Sequence, residues 1–400
     1  MRRVVVTGVG PVSSIGRGRS AFWQALLAGT CGIRPVASFD VSAYRVTLGG
    51  EIQGYEPLPE LASRLGRASR LAVEAARLAW EDAGLGREDA TGAAVFMGTT
   101  SGEPREVEAL DDAWMAGEPL DGGRFWDCYP CHRLATAIAD DLGADGPVGM
   151  VPTACAAGNY AAASALDAIR WGRAEVALAG GSDAFSRITY TGFARLGAIA
   201  SEACRPFDRE RDGMVPAEGA GVLVLESEAR ARRRGAPIYA EVLGYGLSCD
   251  AHHMTAAHPE GRGASDAMRL GLAEARLDAE AIDYVSAHGT GTPTNDRLET
   301  LALEAVFGDR LPSVPVSSIK SMLGHTMGAA SALESIVCCL AIDQGAVPPT
   351  IGYRTPDPEC ALDCVPNQAR EMTVRHAMNN ASAFGGNNAC VVFGAVEAAG

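Results

Sequence analysis

No hydrophobic run long enough to cross a bilayer is expected in this chain. The most apolar stretch, Ile336 to Ile342, is far shorter than the ~20 residues a spanning helix needs. Positive charge is also scarce: 34 Lys plus Arg face 49 Asp plus Glu, a formal net charge of −15. That balance argues against nucleic acid and against an anionic membrane surface as partners. Two basic residues open the chain, but Met1-Arg2-Arg3-Val4-Val5-Val6-Thr7-Gly8 reaches glycine too soon for a secretory h-region. Without an export signal the 11 cysteines read as reduced thiols, and a cytoplasmic location is expected. Cys128-Tyr129-Pro130-Cys131-His132 matches a haem-attachment spacing, yet neither export nor a distal axial ligand is signalled. No second ligand pair accompanies it at zinc spacing, so a chance pair near a helix start is expected.

What the chain does have is a hydrophobic content of 47% over 400 residues, ample for a large core in one domain or two. Its organising stretch is Val148-Gly149-Met150-Val151-Pro152-Thr153-Ala154-Cys155-Ala156-Ala157-Gly158. This reads as a short buried strand, a tight turn and a small-residue helix running to Ile169. A thiol at the mouth of that helix faces unpaired N–H groups and the positive end of the dipole. The expected consequence is a Cys155 pKa below the free value of about 8.5. The bland alternative is a buried cysteine that packs as a small hydrophobe.

Taken in order, Arg3–Val6 reads as a strand ending in a Gly8-Val9-Gly10-Pro11 turn. Ser13 stands where a dinucleotide fingerprint needs glycine, so a plain strand end is expected. Leu61–Ala83 reads as an amphipathic helix with Leu71, Ala75, Leu78 and Ala79 on one side and Arg64, Arg67 and Arg70 on the other. Residues 103–131 look irregular, and Ala93–Met97 and Val176–Gly181 read as further strands. The basic run Arg230, Arg232, Arg233 and Arg234 reads as a solvated helix end.

Ala162–Ile169 and Ala329–Ile336 agree at six of eight positions, each behind a strand at the same offset. A duplicated α/β unit follows, with halves 1–235 and 236–400 whose alanine-rich helices pack together.

The second half carries three further stretches. Val285-Ser286-Ala287-His288-Gly289-Thr290-Gly291-Thr292-Pro293 sets a histidine at a strand end, and Lys320-Ser321-Met322-Leu323-Gly324-His325 sets a lysine and a histidine before the repeated helix. Ser382-Ala383-Phe384-Gly385-Gly386-Asn387-Asn388 is a flexible loop whose N–H groups can point inward. His132, His252, His253, His258 and His376 sit in polar or loop contexts and read as structural or surface groups.

Together these motifs resemble the β-ketoacyl-acyl-carrier-protein synthases, elongating condensing enzymes of the thiolase superfamily. The resemblance runs end to end and includes Arg205-Pro206-Phe207-Asp208, Asp212-Gly213 and Glu218-Gly219-Ala220-Gly221. It implies a thiolase-like α/β fold with two duplicated halves in α-β-α-β-α layers. It implies that Cys155 takes an acyl chain from acyl-carrier protein, with the N–H groups of Cys155 and Phe384 as oxyanion hole. His288 and His325 would donate to the malonyl thioester during decarboxylation, Lys320 would support them, and Glu334 would be the buried partner in that group. Thr290 and Thr292 would bind the phosphopantetheine arm. Ser101 and Gly385 would belong to the substrate site, and Arg64, Arg67 and Arg70 to carrier-protein docking, with Arg205 and Arg209 behind them. No metal or separate cofactor is implied, since substrates arrive on the carrier's phosphopantetheine. The implied assembly is a homodimer, or a heterodimer with a chain-length-factor homologue.

Two departures accompany the resemblance. Ser382-Ala383 stands where relatives have Phe-Gly, so the gating movement is expected to differ. Ser101 replaces a bulky apolar residue that limits the acyl pocket, which tilts the reading toward a polyketide or polyene pathway. The alternatives are a non-catalytic chain-length subunit and a thiolase with a second cysteine such as Cys390.

Overall fold

A computed structural model describes residues 2–57 and 59–396. Ten strands form the backbone of the fold: β1 (Val4–Ser13), β2 (Ala94–Gly98), β3 (Val148–Val151), β4 (Val176–Asp183), β5 (Gly219–Ser227), β6 (Ala240–Cys249), β7 (Tyr284–Ser286), β8 (Val316–Ser317), β9 (His376–Ser382) and β10 (Asn387–Gly394). In space they run β8-β7-β9-β10-β6-β1-β5-β4-β2-β3. Each half has the same order from edge to centre: third, second, fourth, fifth, first. Strand directions repeat too: β2 is parallel to β3 and β4, as β7 is to β8 and β9, and the remaining neighbours are antiparallel. The halves meet where β1 pairs with β6 over Val5–Glu241 and Val6–Ala240. The fold is therefore a duplicated α/β architecture.

Five helices complete the layers: α1 (Arg67–Asp82), α2 (Ala157–Arg170), α3 (Arg262–Ala275), α4 (Pro293–Phe307) and α5 (Ala330–Gln344). α1 packs on β1, β5 and β4, and α3 on β6, β10 and β9, as the two outer layers. α2 and α5 contact each other and strands of both halves, which makes them the central layer. Small residues permit this close crossing: a Cβ on Gly158 would lie 2.4 Å from the Ala332 nitrogen. The helical run Met327–Gln344 meets the length and composition of a membrane span, beyond the short stretch Ile336–Ile342, but 83% of it is buried inside the fold. Its hydrophobicity is that of a core helix.

Several expectations are corrected. β1 continues through Gly8 and Gly10 instead of turning there, because both glycines lie against α1; Cβ atoms would come within 2.2 Å of the Ala79 oxygen and 1.9 Å of the Ala75 oxygen. β3 is an edge strand, with Val148 42% exposed, whereas its apolar composition suggested a buried one. Residues 104–116 and 122–128 are helices, not irregular chain. The basic run is paired rather than simply solvated: Arg230 and Arg234 both bind buried Glu226, and Arg230 also binds Asp89.

The repeat is real in topology but its register differs from the sequence match. α2 follows a 3₁₀ turn at Ala154–Ala156, and α5 follows one at Met327–Ala329. Thr153-Ala154-Cys155-Ala156-Ala157 thus occupies the place that Thr326-Met327-Gly328-Ala329-Ala330 holds in the other half. The Ala162–Ile169 match pairs the far part of α2 with the start of α5, a coincidence of alanine-rich composition.

Candidate active site

β3 delivers Cys155 to the start of α2 through a strained turn. Ala154 adopts φ +51, a conformation that costs a residue with a Cβ on the order of 1–3 kcal/mol and persists where the surroundings over-determine it. Cys155 is only 8% exposed. Burial pushes its thiol up to about 12, with the charge of Lys320 opposing. The sequence-based expectation of a lowered pKa is therefore overturned: loss of water outweighs what the helix mouth and the lysine contribute.

The second half supplies two imidazoles. Their rings stand edge to face with centroids 5.4 Å apart, and one ring nitrogen of each lies with the Cys155 sulfur inside a 4.8 Å cluster. His325 Nδ1 accepts from the Met327 N–H at 3.1 Å, which places the ring proton on Nε2. Burial first, then Lys320, holds the His325 pKa well below its ordinary value, and His288 is held low by burial, Lys320 and His325. Both rings are neutral N–H donors. The cluster resembles a metal ligand set, but the Met327 N–H occupies Nδ1 and leaves Nε2 protonated. His325 could ligate only after losing that bond, so the donors do not suit a metal.

Carboxylates that the motifs did not single out hold this side together. Glu299 accepts the N–H groups of His288 and Gly289, both at 2.7 Å; burial pushes it up to about 7 while those bonds pull it down. Asp296 accepts from Thr290, Gly291 and Phe207. Asp296 and Glu299 lie three residues apart on α4, so both face the turn that carries His288. Lys320, the single lysine of the chain, is bonded to Glu334, and both side chains are 1% exposed. Among the described residues, one Glu334 oxygen has no partner. Asp183, at the end of β4 after the double glycine, takes the N–H groups of Thr100, Ser101 and Gly328 and the Thr99 hydroxyl.

The loop Phe384–Gly386 closes the third side, with Gly385 at φ +84 and Gly386 at φ +77. The Gly385 N–H is tied to the Met254 carbonyl at 2.7 Å. Phe384 is 41% exposed, and its ring meets Phe193 at 5.9 Å. A cavity of about 260 Å³ is lined by Cys155, His288, His325, Thr290, Thr292 and Phe384, among others. The Thr290 and Thr292 hydroxyls face each other at 2.9 Å.

Other residues named from the sequence lie elsewhere. Ser101 is outside the lining of this cavity, its hydroxyl 3.4 Å from that of Thr189. Arg67 turns inward against expectation, because Glu218 needs its charge: the pair is bidentate at 2.7 Å, and the Glu218 side chain is fully buried. Arg64 is exposed and Arg70 half-buried. Arg205 is buried against Glu202. Among the cysteine pair, Cys128 is buried with its thiol on the Arg64 carbonyl, and Cys131 is exposed. Cys390 is fully buried in β10 against Gly271, away from the cavity lining.

Comparison with known proteins gives a consistent result. The family model "Beta-ketoacyl synthase, N-terminal domain" matches residues 1–231, and "Beta-ketoacyl synthase, C-terminal domain" matches residues 239–354. The tetracenomycin polyketide synthase ketoacyl synthase alpha subunit of Streptomyces glaucescens is 40% identical over 98% of this chain and 96% of its own length. The solved ishigamide ketosynthase/chain length factor is 45% identical with a TM-score of 0.95, covering 99% of this chain and 100% of that one. A type II polyketide synthase acyl-carrier protein in complex with its ketosynthase gives 34% identity and a TM-score of 0.91 over 99% of this chain and 100% of that one.

Proposed function

The chain belongs to the β-ketoacyl synthase family, and on that premise we propose that Cys155, His288 and His325 carry out decarboxylative condensation on carrier-bound substrates. The Cys155 sulfur attacks the thioester of an acyl chain on acyl-carrier protein. The acyl group moves to sulfur, and the thiol proton ends on the released phosphopantetheine thiol. Because the resting group is a thiol, this proton must leave as the S–C bond forms, and the neutral His288 ring beside it offers a relay, since both nitrogens of His325 are already engaged. The N–H groups of Cys155 and Phe384 receive the oxyanion.

Malonyl-carrier protein then enters. Its carboxylate leaves as CO₂, and the thioester carbonyl takes the enolate charge between the His288 and His325 N–H donors. The enolate carbon attacks the acyl carbon, the Cys155 sulfur departs and is reprotonated, and the chain has grown by two carbons. Lys320 and Glu334 act behind the histidines. Thr290 and Thr292 hold the arm by its amides, and Gly385 lets the loop move. No separate cofactor enters this scheme.

The observation that carries the reading is the convergence of one sulfur and two imidazole nitrogens within 4.8 Å at a cavity wall. Three chain segments far apart in sequence supply the site. We take residues 1–235 and 236–400 as the duplicated halves, and the chain as a cytoplasmic protein that pairs with itself or with a chain-length-factor homologue. The 40% identical ketoacyl synthase alpha subunit of the tetracenomycin polyketide synthase favours a polyketide-type pathway. Arg64 is the exposed docking charge for an acidic carrier, with Arg70 beside it. Intact-mass analysis after incubation with acyl-carrier proteins of varied chain tests the proposal. One acyl adduct that disappears in Cys155→Ala is expected; adduct formation that survives the substitution would overturn it.

A further inference from the structure

The nucleophile turn and the His325 turn are the same strained device, and one buried side chain touches the second of them from the first half. Met327 adopts φ +54, which a long unbranched side chain does not favour. Its N–H nevertheless points at His325 Nδ1, at 3.1 Å. The residue that follows, Gly328, gives its N–H to Asp183 Oδ2 at 2.7 Å. Asp183 reaches this turn from the end of β4 while it binds the Thr100 N–H at 2.7 Å and the Ser101 N–H and Thr99 hydroxyl at 2.9 Å. The fit is tight on every side: a Cβ on Gly328 would lie 2.6 Å from the Thr99 and Thr100 backbone, and one on Gly181 would lie 2.2 Å from the Gly328 oxygen.

The geometry points to Asp183 as a positioning residue for the condensation chemistry: its carboxylate clamps the strained Met327–Gly328 turn and so fixes the Nε2–H tautomer of His325. A carboxylate 1% exposed that accepts four donors is rigid, and it joins the loop after β2, the end of β4 and the turn before α5. Released from it, Met327 is free to relax toward negative φ. Its N–H then swings away from Nδ1, and the imidazole is free to carry its proton on either nitrogen. A ring with the proton on Nδ1 presents a lone pair, not a donor, to the developing enolate. Asp183 acts through Gly328 and Met327 and touches no substrate.

This inference rests on the proposed function for its activity arm but not for its spectroscopic one. Histidine-selective ¹⁵N labelling of the full chain reports the His325 tautomer without substrate, with His325→Gln assigning the signal. Asp183→Asn, whose amide turns a donor toward N–H groups, should convert a pure Nε2–H signal into a mixture. The kcat for decarboxylation of malonyl-carrier protein should fall about 10²-fold with KM unchanged, the size expected of a small misplacement of a catalytic group. Acylation of Cys155 should fall much less. Asp183→Glu keeps the charge but moves it by one methylene, and is expected to shift the same signal less; it also serves if Asp183→Asn does not fold. An unchanged tautomer in the folded variant, or equal loss in acylation and decarboxylation, would overturn the positioning role. A wild-type chain that releases no CO₂ would overturn the synthase reading alone, since the tautomer is read independently.

Discussion

The two halves of this molecule share one strand order and one strained turn before a central helix, yet they carry different chemistry. In the first half residues 152–156 connect β3 to α2, and the turn presents Cys155. In the second, residues 318–329 connect β8 to α5, and the equivalent of Cys155 is Gly328. The longer connection holds Lys320, His325 and a short helix at Lys320–Leu323. A short turn suits a nucleophile, which needs one exposed atom at a helix mouth. A longer one suits a donor, whose ring must be reached, oriented and electrostatically supported. Duplication supplied the scaffold twice, and asymmetry of the loops divided the labour.

If that division is physical, damage to one half should separate from damage to the other. The largest effect is expected on the supporting pair of the second half. Lys320→Met strands Glu334 as a buried charge, and loss of one partner from such a pair costs about 3–5 kcal/mol of stability. Denaturant unfolding should show it, and Lys320→Met with Glu334→Leu should recover most of it. A single variant as stable as wild type would mean that the pair is solvated, contrary to its burial.

Next come the imidazoles. Removing either donor, as His288→Ala or His325→Ala, should lower malonyl-carrier decarboxylation by about 10²–10³-fold, as for other oxyanion donors. Cys155 acylation, followed by mass, should change far less. Equal losses in both steps would erase the distinction between the halves.

The first half has its own signature in pH. With the thiol raised to about 12 by burial, alkylation of Cys155 should climb about tenfold per pH unit through the alkaline range, because only thiolate reacts. A plateau below the free thiol's pKa would restore the helix-mouth argument and contradict the dominance of burial. The pH profile of decarboxylation should show no histidine protonation near the usual value, since both rings are held well below it.

The smallest effect concerns the surface. Arg64→Glu should slow carrier-protein association several-fold and weaken its salt dependence, as rim charges do. Arg67→Ala should instead cost stability, through unpaired Glu218. Stopped-flow association set beside unfolding curves would separate the two, and a shared kinetic phenotype would return Arg67 to the surface.

Much of this was legible in the sequence. Cys155 and His288 were marked by strand ends followed by small residues, His325 by its place before the repeated small-residue helix, and the cavity brings these three together. The duplication was legible too, but its register was not, because identity among alanines outweighed the turn geometry that defines equivalence. The supporting carboxylates were less visible. Asp183, Glu299 and Glu218 look like ordinary acids until the fold surrounds them with backbone donors or a guanidinium. Arg67 misled for the same reason: a helical wheel gives its direction but not the length of chain that folds over it. The thiol pKa depends on how completely the other half excludes water, which no local pattern records.

The most direct test of the divided site is Cys155→Gln, assayed for acyl transfer and for CO₂ release from malonyl-carrier protein in the same preparation. The account predicts that acyl transfer disappears while CO₂ release continues, because the imidazole half keeps its donors. Loss of both activities in a folded variant, or acyl transfer that persists, would contradict it.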